Sequence, residues 1–258
     1  MLLEYSDAGP GPVVVLLHGF PLNRSMWSGQ LTGLGSVYRV IAPDLRGQGS
    51  TPAPEGAYTM DVMADDLIET LDALGLHEPL VLGGLSMGGY VALAAMAKYA
   101  DRFRALILMD TRAAADTPEA AANREMGARQ IEATGDVASM VDMMLPRLFS
   151  PLTRERGPEV MAEARDAMVS TQPLGVIGAL RGMAVRPDRT GLLPSIRVPT
   201  LVLVGSDDVI STPDEMRGVA AAIPGARFEV IPEAGHLSPL ERPAACNEVI
   251  RDFLQRLA

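Results

Sequence analysis

Six short aliphatic runs, most of them apolar on both faces, recur along the chain. They are "VVVLLHG" (13–19), "YRVIAPD" (38–44), "PLVLGGLS" (79–86), "ALILMDT" (105–111), "PTLVLVGSDD" (199–208) and "RFEVIPEAGH" (227–236). A strand that meets solvent on one face alternates polar with apolar residues. A continuous run marks a strand covered on both faces, as in a parallel sheet sandwiched between helices. Between the runs lie amphipathic stretches such as "DVMADDLIETLDALG", in which Val62, Met63, Leu67, Ile68, Leu71 and Leu74 fall on one helical face and the acids on the other. Strand and helix in alternation imply right-handed crossovers and an α/β fold with a doubly wound, mostly parallel sheet.

The alternation stops once. From 112 to 196 no strand is recognisable, while "TPEAAANREMGARQIEATG", "VASMVDMMLPRLF", "GPEVMAEARDAMVS" and "LGVIGALRGMAV" all read as helices. That length far exceeds a single crossover, so the expected organisation is a core of residues 1–111 and 197–258 with a helical cap inserted at 112–196. At 258 residues, one domain with an insertion is the natural size.

Charge and cysteine content narrow the function classes. With 22 basic against 32 acidic residues the net charge is −10, and no basic run appears, so neither nucleic acid nor an anionic membrane is an expected partner. The single cysteine, Cys246, excludes an intramolecular disulfide. No apolar run approaches a bilayer span, and the first residues lack a basic and an apolar signal region, so a cytoplasmic location is expected. No pair of histidines is spaced to hold a metal, and neither metal nor organic cofactor is expected.

The chemistry concentrates around "GGLSMGG" (83–89), where a GxSxG pattern follows an apolar run and opens an alanine-rich helix. In that setting the serine sits on a sharp strand-to-helix turn with its hydroxyl above the sheet, and flanking glycines remove side chains that would block the turn. Ser86 is therefore the candidate nucleophile. A serine hydroxyl needs a base, itself oriented by a third group. Of the three histidines, His77 lies in a helix-to-strand loop at the wrong end of the sheet, and His18 follows the first core strand as part of a loop. His236, after the last strand, stands where open α/β sheets place their sites. The acid is expected from another strand end: Asp207 or Asp208 after the next-to-last strand, with Asp110 as an alternative. The order serine, acid, histidine fits a nucleophile-elbow hydrolase. The tetrahedral intermediate of acyl transfer needs backbone donors, expected from Met87 and Phe20. Trp27, Met144 and Leu148 are candidate pocket residues.

Taken together, "HGFPLNRSMW", "APDLRGQGSTPAP", "GGLSMGGYVA", "LILMDTRA", "LVLVGSDDVIS" and "EAGHLSPLERP" resemble the α/β-hydrolase family, and within it the small bacterial serine carboxylesterases. The resemblance covers nearly the whole chain. It implies a Ser86, Asp208, His236 triad, because the family's G-x-x-D falls on Gly205 and Asp208. It also implies hydrolysis of short-chain esters through an acyl-enzyme, with a small-molecule ester and water as partners, in a monomer or homodimer. Enol-lactone hydrolysis is the alternative, with Arg124, Arg129, Arg147 or Arg181 available to anchor a carboxylated substrate; a slow-turnover ligand-binding protein is a further one. With only "LLEYSDAG" before the core, a single N-terminal edge strand is expected.

Overall fold

The computed structural model describes residues 1–257. Seven strands form one sheet in the order β1-β3-β2-β4-β5-β6-β7. Six correspond to the apolar runs: β2 (Val13–Leu17), β3 (Arg39–Pro43), β4 (Leu80–Leu85), β5 (Phe103–Met109), β6 (Thr200–Gly205) and β7 (Arg227–Ile231). The seventh, β1 (Tyr5–Ala8), pairs antiparallel with β3 at the edge, whereas all other pairings are parallel. The chain runs from β2 outward to β3 and then returns past β2 to β4. This reversal makes the loops after β2 and β4 flank a crevice at the carboxyl edge of the sheet.

Helices α1 (Ser28–Leu34), α2 (Met60–Ala73) and α3 (Met87–Tyr99) follow β2, β3 and β4. α2 packs against α3, and α1 against the C-terminal helix. On α2 the burial departs from the simple two-faced expectation. Val62 is exposed, while Asp66 is buried where its carboxylate holds Arg46 at 2.6 Å. An acid placed by periodicity on the outer face turns inward because a cation from the β3 loop meets it there.

Between β5 and β6 lie α4 (Pro118–Thr134), α5 (Val137–Leu148), α6 (Pro151–Arg156), α7 (Pro158–Val169) and α8 (Pro173–Ala184). The prolines that punctuate this sequence mostly occupy the first turn of a helix, where a missing N–H costs nothing. The chain closes with α9 (Pro213–Ala222), α10 (Ser238–Glu241) and α11 (Pro243–Gln255).

α8 meets the core backbone to backbone. A Cβ added at Gly182 would overlap the Tyr58 carbonyl, and one at Gly178 would overlap the Tyr58 ring. The Tyr58 N–H donates to the Gly178 carbonyl at 2.8 Å, and the α4–α8 pair forms one of the molecule's most extensive helix contacts. Gly182→Ala is expected to destabilise the protein by about 1–3 kcal/mol, despite the better helix propensity of alanine. Gly218→Ala, in α9 with nothing within 4 Å, should instead be neutral or stabilising. Thermal melts of the two variants check this, each kcal/mol moving the midpoint by roughly 2–4 °C in a protein of this size.

Candidate active site

Ser86 sits between the last residue of β4 and the first of α3 with φ 53° and ψ −114°, a backbone conformation that L-residues rarely adopt. The turn is held from both sides. The Ser86 N–H donates to Met109 O at 3.0 Å, and Thr111 Oγ1 donates to Ser86 O at 2.7 Å, so β5 and its loop grip the strained residue at both ends. A Cβ at Gly84 would collide with the Gly88 backbone, and one at Gly88 with the Leu17 carbonyl of the neighbouring strand. Glycine is required because the turn doubles back on itself and presses against β2.

His236 lies in the loop after β7. Its Nε2 is 2.8 Å from Ser86 Oγ, and its Nδ1 is 2.8 Å from Asp208 Oδ2. Both His236 and Asp208 are 3% exposed, while Ser86 keeps part of its surface open. Asp208 Oδ1 accepts from the N–H groups of Ile210 and Ser211 at 2.7 and 3.0 Å, which fixes the carboxylate as it faces the imidazole. The adjacent Asp207 is exposed, and its N–H donates to Ala234 O. Of the two neighbouring acids, Asp208 is thus the one that faces the histidine.

Phe20 is half-buried and Met87 fully buried. Among the described residues neither backbone N–H has a protein acceptor. His18 holds the Phe20 loop from beneath: its Nδ1 pairs with Gly19 O and its Nε2 accepts from Leu45 N–H, both at 2.9 Å. Complete burial lowers its pKa, keeping it neutral, as those two hydrogen bonds require. His77 is exposed in the loop before β4. Trp27 departs from the expectation of a pocket wall, since it has no exposed surface and is packed into the core. Met144 is half-buried and Leu148 buried.

Three groups at this site have partners that no local sequence pattern gives. The Leu148 carbonyl accepts from the N–H groups of His236 and Leu237 at 2.9 and 3.3 Å, so α5 ends directly on the histidine loop. The buried Glu241 accepts from Gly235 N–H at 2.7 Å and from Ser150 N–H at 2.9 Å, clamping that loop to the segment after α5. Asp110, wholly buried with φ 45°, accepts from Gly205 N–H at 2.8 Å, and its other oxygen is hydrogen-bonded to the Ser238 hydroxyl. Burial, followed by repulsion from Asp208, pushes the Asp110 carboxyl well above the usual range. Glu241 stands in "LSPLERP", but nothing in that string says what it clamps.

A cleft of about 590 Å³ opens beside the Phe20 loop, between residues 22–28 and α7, with Leu22, Met26, Ala164 and Leu240 on its walls and Glu163 and Asp166 on the α7 side. The described residues include no group of three or more histidine, cysteine or acidic side chains placed to hold a metal ion. None of their helices is long and apolar enough to cross a membrane.

The family model for the alpha/beta hydrolase fold matches residues 12–243. A thermophilic esterase from Thermogutta terrifontis, solved with malate bound, superposes with a TM-score of 0.97 at 48% identity, covering 99% of this chain and 93% of its own. The enol-lactonase from Burkholderia xenovorans superposes at 0.90 with 34% identity, over 98% of this chain and 96% of its own. 3-Oxoadipate enol-lactonase 1 of Acinetobacter baylyi is 29% identical over 95% of this chain and 90% of its own length.

The neutral, buried His18 has a consequence for stability. The unfolded chain protonates this histidine near its ordinary pKa of 6.5, whereas the folded protein resists doing so. Stability from this group is complete above that value and declines as pH falls through it, by up to about 1.4 kcal/mol per unit. Urea unfolding between pH 7.5 and 5 (the test range) is expected to give a falling midpoint, with a shallower fall in His18→Gln.

Proposed function

The chain belongs to the α/β-hydrolase family, and from that premise we propose that it is a serine carboxylesterase acting on short-chain esters through an acyl-enzyme. The observation that carries this reading is the hydrogen-bonded line from Ser86 Oγ through His236 to Asp208, 2.8 Å at each step. The 48% identity to a protein described as an esterase supports it.

Ser86 Oγ attacks the ester carbonyl while His236 Nε2 takes its proton. The Asp208 carboxylate holds the imidazole in the tautomer that presents Nε2 as base and then stabilises the imidazolium. Oxygen charge in the tetrahedral intermediate is met by the Phe20 and Met87 N–H groups, which have no other acceptor among the described residues; one such donor is worth about 3 kcal/mol. His236 returns the proton to the leaving alcohol. Water, deprotonated by the same nitrogen, then attacks the acyl-enzyme and releases the acid with Ser86 restored. The helices between β5 and β6 act as a cap, with Met144 and Leu148 of α5 closing the acyl pocket.

A second reading is lactone hydrolysis, which the enol-lactonase relatives favour. A carboxylated lactone calls for a cationic anchor. Arg124 is paired with Asp116, Arg129 with Glu125, and Arg181 with Glu125 and Glu132. Arg147 has no such partner among the described residues and precedes Leu148, whose carbonyl meets the His236 loop. This second reading assigns the anchoring task to Arg147.

Ser86→Ala is expected to lower kcat by at least 10³, and Asp208→Asn by about 10⁴, while Asp207→Asn stays near wild type. Steady-state kinetics on p-nitrophenyl acetate measure all three. Substantial activity in Ser86→Ala would remove the acyl-enzyme mechanism.

Substrate class is checked with a panel of p-nitrophenyl esters and a carboxylated enol-lactone. kcat/KM is expected to peak between about two and six acyl carbons and to fall at lipase-length chains, because added methylenes help only until the pocket wall is reached. If the lactone is instead preferred, and Arg147→Ala raises KM for it but not for the esters, the second reading replaces the first.

A further inference from the structure

Three carboxyl groups converge beneath the His236 loop, from three different elements. Asp208 follows β6 and accepts two backbone N–H groups as well as the imidazole. Glu241 ends α10 and accepts two backbone N–H groups. Asp110 follows β5, accepts one backbone N–H, and otherwise touches a hydroxyl. It has no arginine, lysine or histidine within 4 Å among the described residues. The groups that face it are Asp208 and Glu241, with the Cys246 thiol of α11 nearby. None brings positive charge, and burial raises the Cys246 thiol well above its ordinary range, keeping it neutral.

The contacts of Asp110 span the whole site. Its backbone N–H joins β6 at Leu203 O, its Oδ1 holds Gly205 three residues before Asp208, and its Oδ2 holds Ser238 two residues after His236. The next residue, Thr111, caps the Ser86 carbonyl. One corner thus connects the nucleophile, the acid turn and the base loop.

We propose that Asp110 is a positioning residue that works as a neutral carboxylic acid, tying the Asp208 turn to the His236 loop through Gly205 and Ser238 while adding no charge beside the Asp208–His236 pair. An ionised carboxylate there would lie buried against two others, with the Gly205 N–H and the Ser238 hydroxyl as donors and no cation to balance it. A protonated one satisfies both contacts: Oδ1 accepts from Gly205, and the acid O–H donates to Ser238 Oγ. The raised affinity of this carboxyl for its proton agrees with that arrangement. The positioning role rests on the assignment of Ser86, His236 and Asp208; the protonation state does not.

Two measurements test this. In infrared difference spectra of wild type minus Asp110→Asn at neutral pH, a carboxylic acid C=O band is expected, and it should persist when both proteins also carry Ser86→Ala. In kinetics, Asp110→Asn offers the same acceptor to Gly205 and an N–H to Ser238. It should keep kcat/KM within about threefold and leave the acid limb of its pH profile in place. Asp110→Ala should lose at least about tenfold in kcat with little change in KM. The sign of the alternative is opposite: an anionic Asp110 would stabilise the His236 imidazolium, so its removal would shift the acid limb to lower pH. Absence of the band, or that downward shift in Asp110→Asn, overturns the neutral acid. Full activity in Asp110→Ala overturns the positioning role. Should Asp110→Ala fail to fold, the Asn kinetics and the spectrum still decide the neutral acid, and Ser238→Ala, which cuts the same tie from the other side, takes over the kcat readout with the same expected loss. An intact band together with an active Ser86→Ala enzyme would reject the triad mechanism and leave the proton where it is placed.

Discussion

Everything at the carboxyl edge of the sheet depends on one turn. Ser86 is held at positive φ, a conformation costing on the order of 1–3 kcal/mol, and it persists because its surroundings leave no alternative. Met109 O holds its N–H, Thr111 holds its carbonyl, and Gly88 lies so close to Leu17 that the helix cannot relax away from β2. The strain is local, whereas the restraint comes from three parallel strands whose ends are in register: Leu17 opposite Gly84, and Leu85 opposite Met109. A less tightly packed sheet would let the turn open and swing the hydroxyl away from His236.

Electrostatics at the site follow from burial. A chain with net charge −10 gathers Asp208, Asp110 and Glu241 beneath one imidazole, in a region where charge is poorly solvated. Such a cluster is tolerable when each carboxyl has enough donors or carries a proton. Backbone N–H groups of tight turns supply most of the donors, which is why the turns after β6 and β7 press so closely together that a Cβ at Gly205 would overlap Ala234 and Gly235. Turn geometry and charge compensation are therefore one design feature here.

The inserted helices join the core in two distinct ways. The glycine-lined face of α8 is fixed against Tyr58, which has no contact with Ser86 in the hydrogen-bond network of the site. The end of α5 is hydrogen-bonded to the histidine loop itself, through Leu148 and through Glu241 with Ser150. A change in the first attachment acts through stability. A change in the second moves His236.

The sequence by itself determined the sheet, the elbow at Ser86 and the placement of His236 at a strand end. These follow from local signals: continuous apolar runs, glycines spaced around a serine, and a histidine directly after the last run. The alternation of strands and helices was equally legible, and the family was recognisable from motifs spread over nearly the whole chain. What only the tertiary structure decided involves partners distant in sequence or burial that periodicity does not reveal. Chain order leaves Asp207 and Asp208 open and the family's G-x-x-D spacing favours Asp208, but the contact itself comes from the approach of the β7 loop, which brings the imidazole to Asp208 and leaves Asp207 exposed. Trp27 is an aromatic residue beside a functional loop in sequence, yet packing draws it wholly into the core. Asp110 meets Gly205 and Ser238 across separations of 95 and 128 residues, so its environment exists only after the sheet has assembled. Local patterns encode where the chain must turn; the balance of charge and hydrogen bonds at those turns depends on which distant segments arrive beside them.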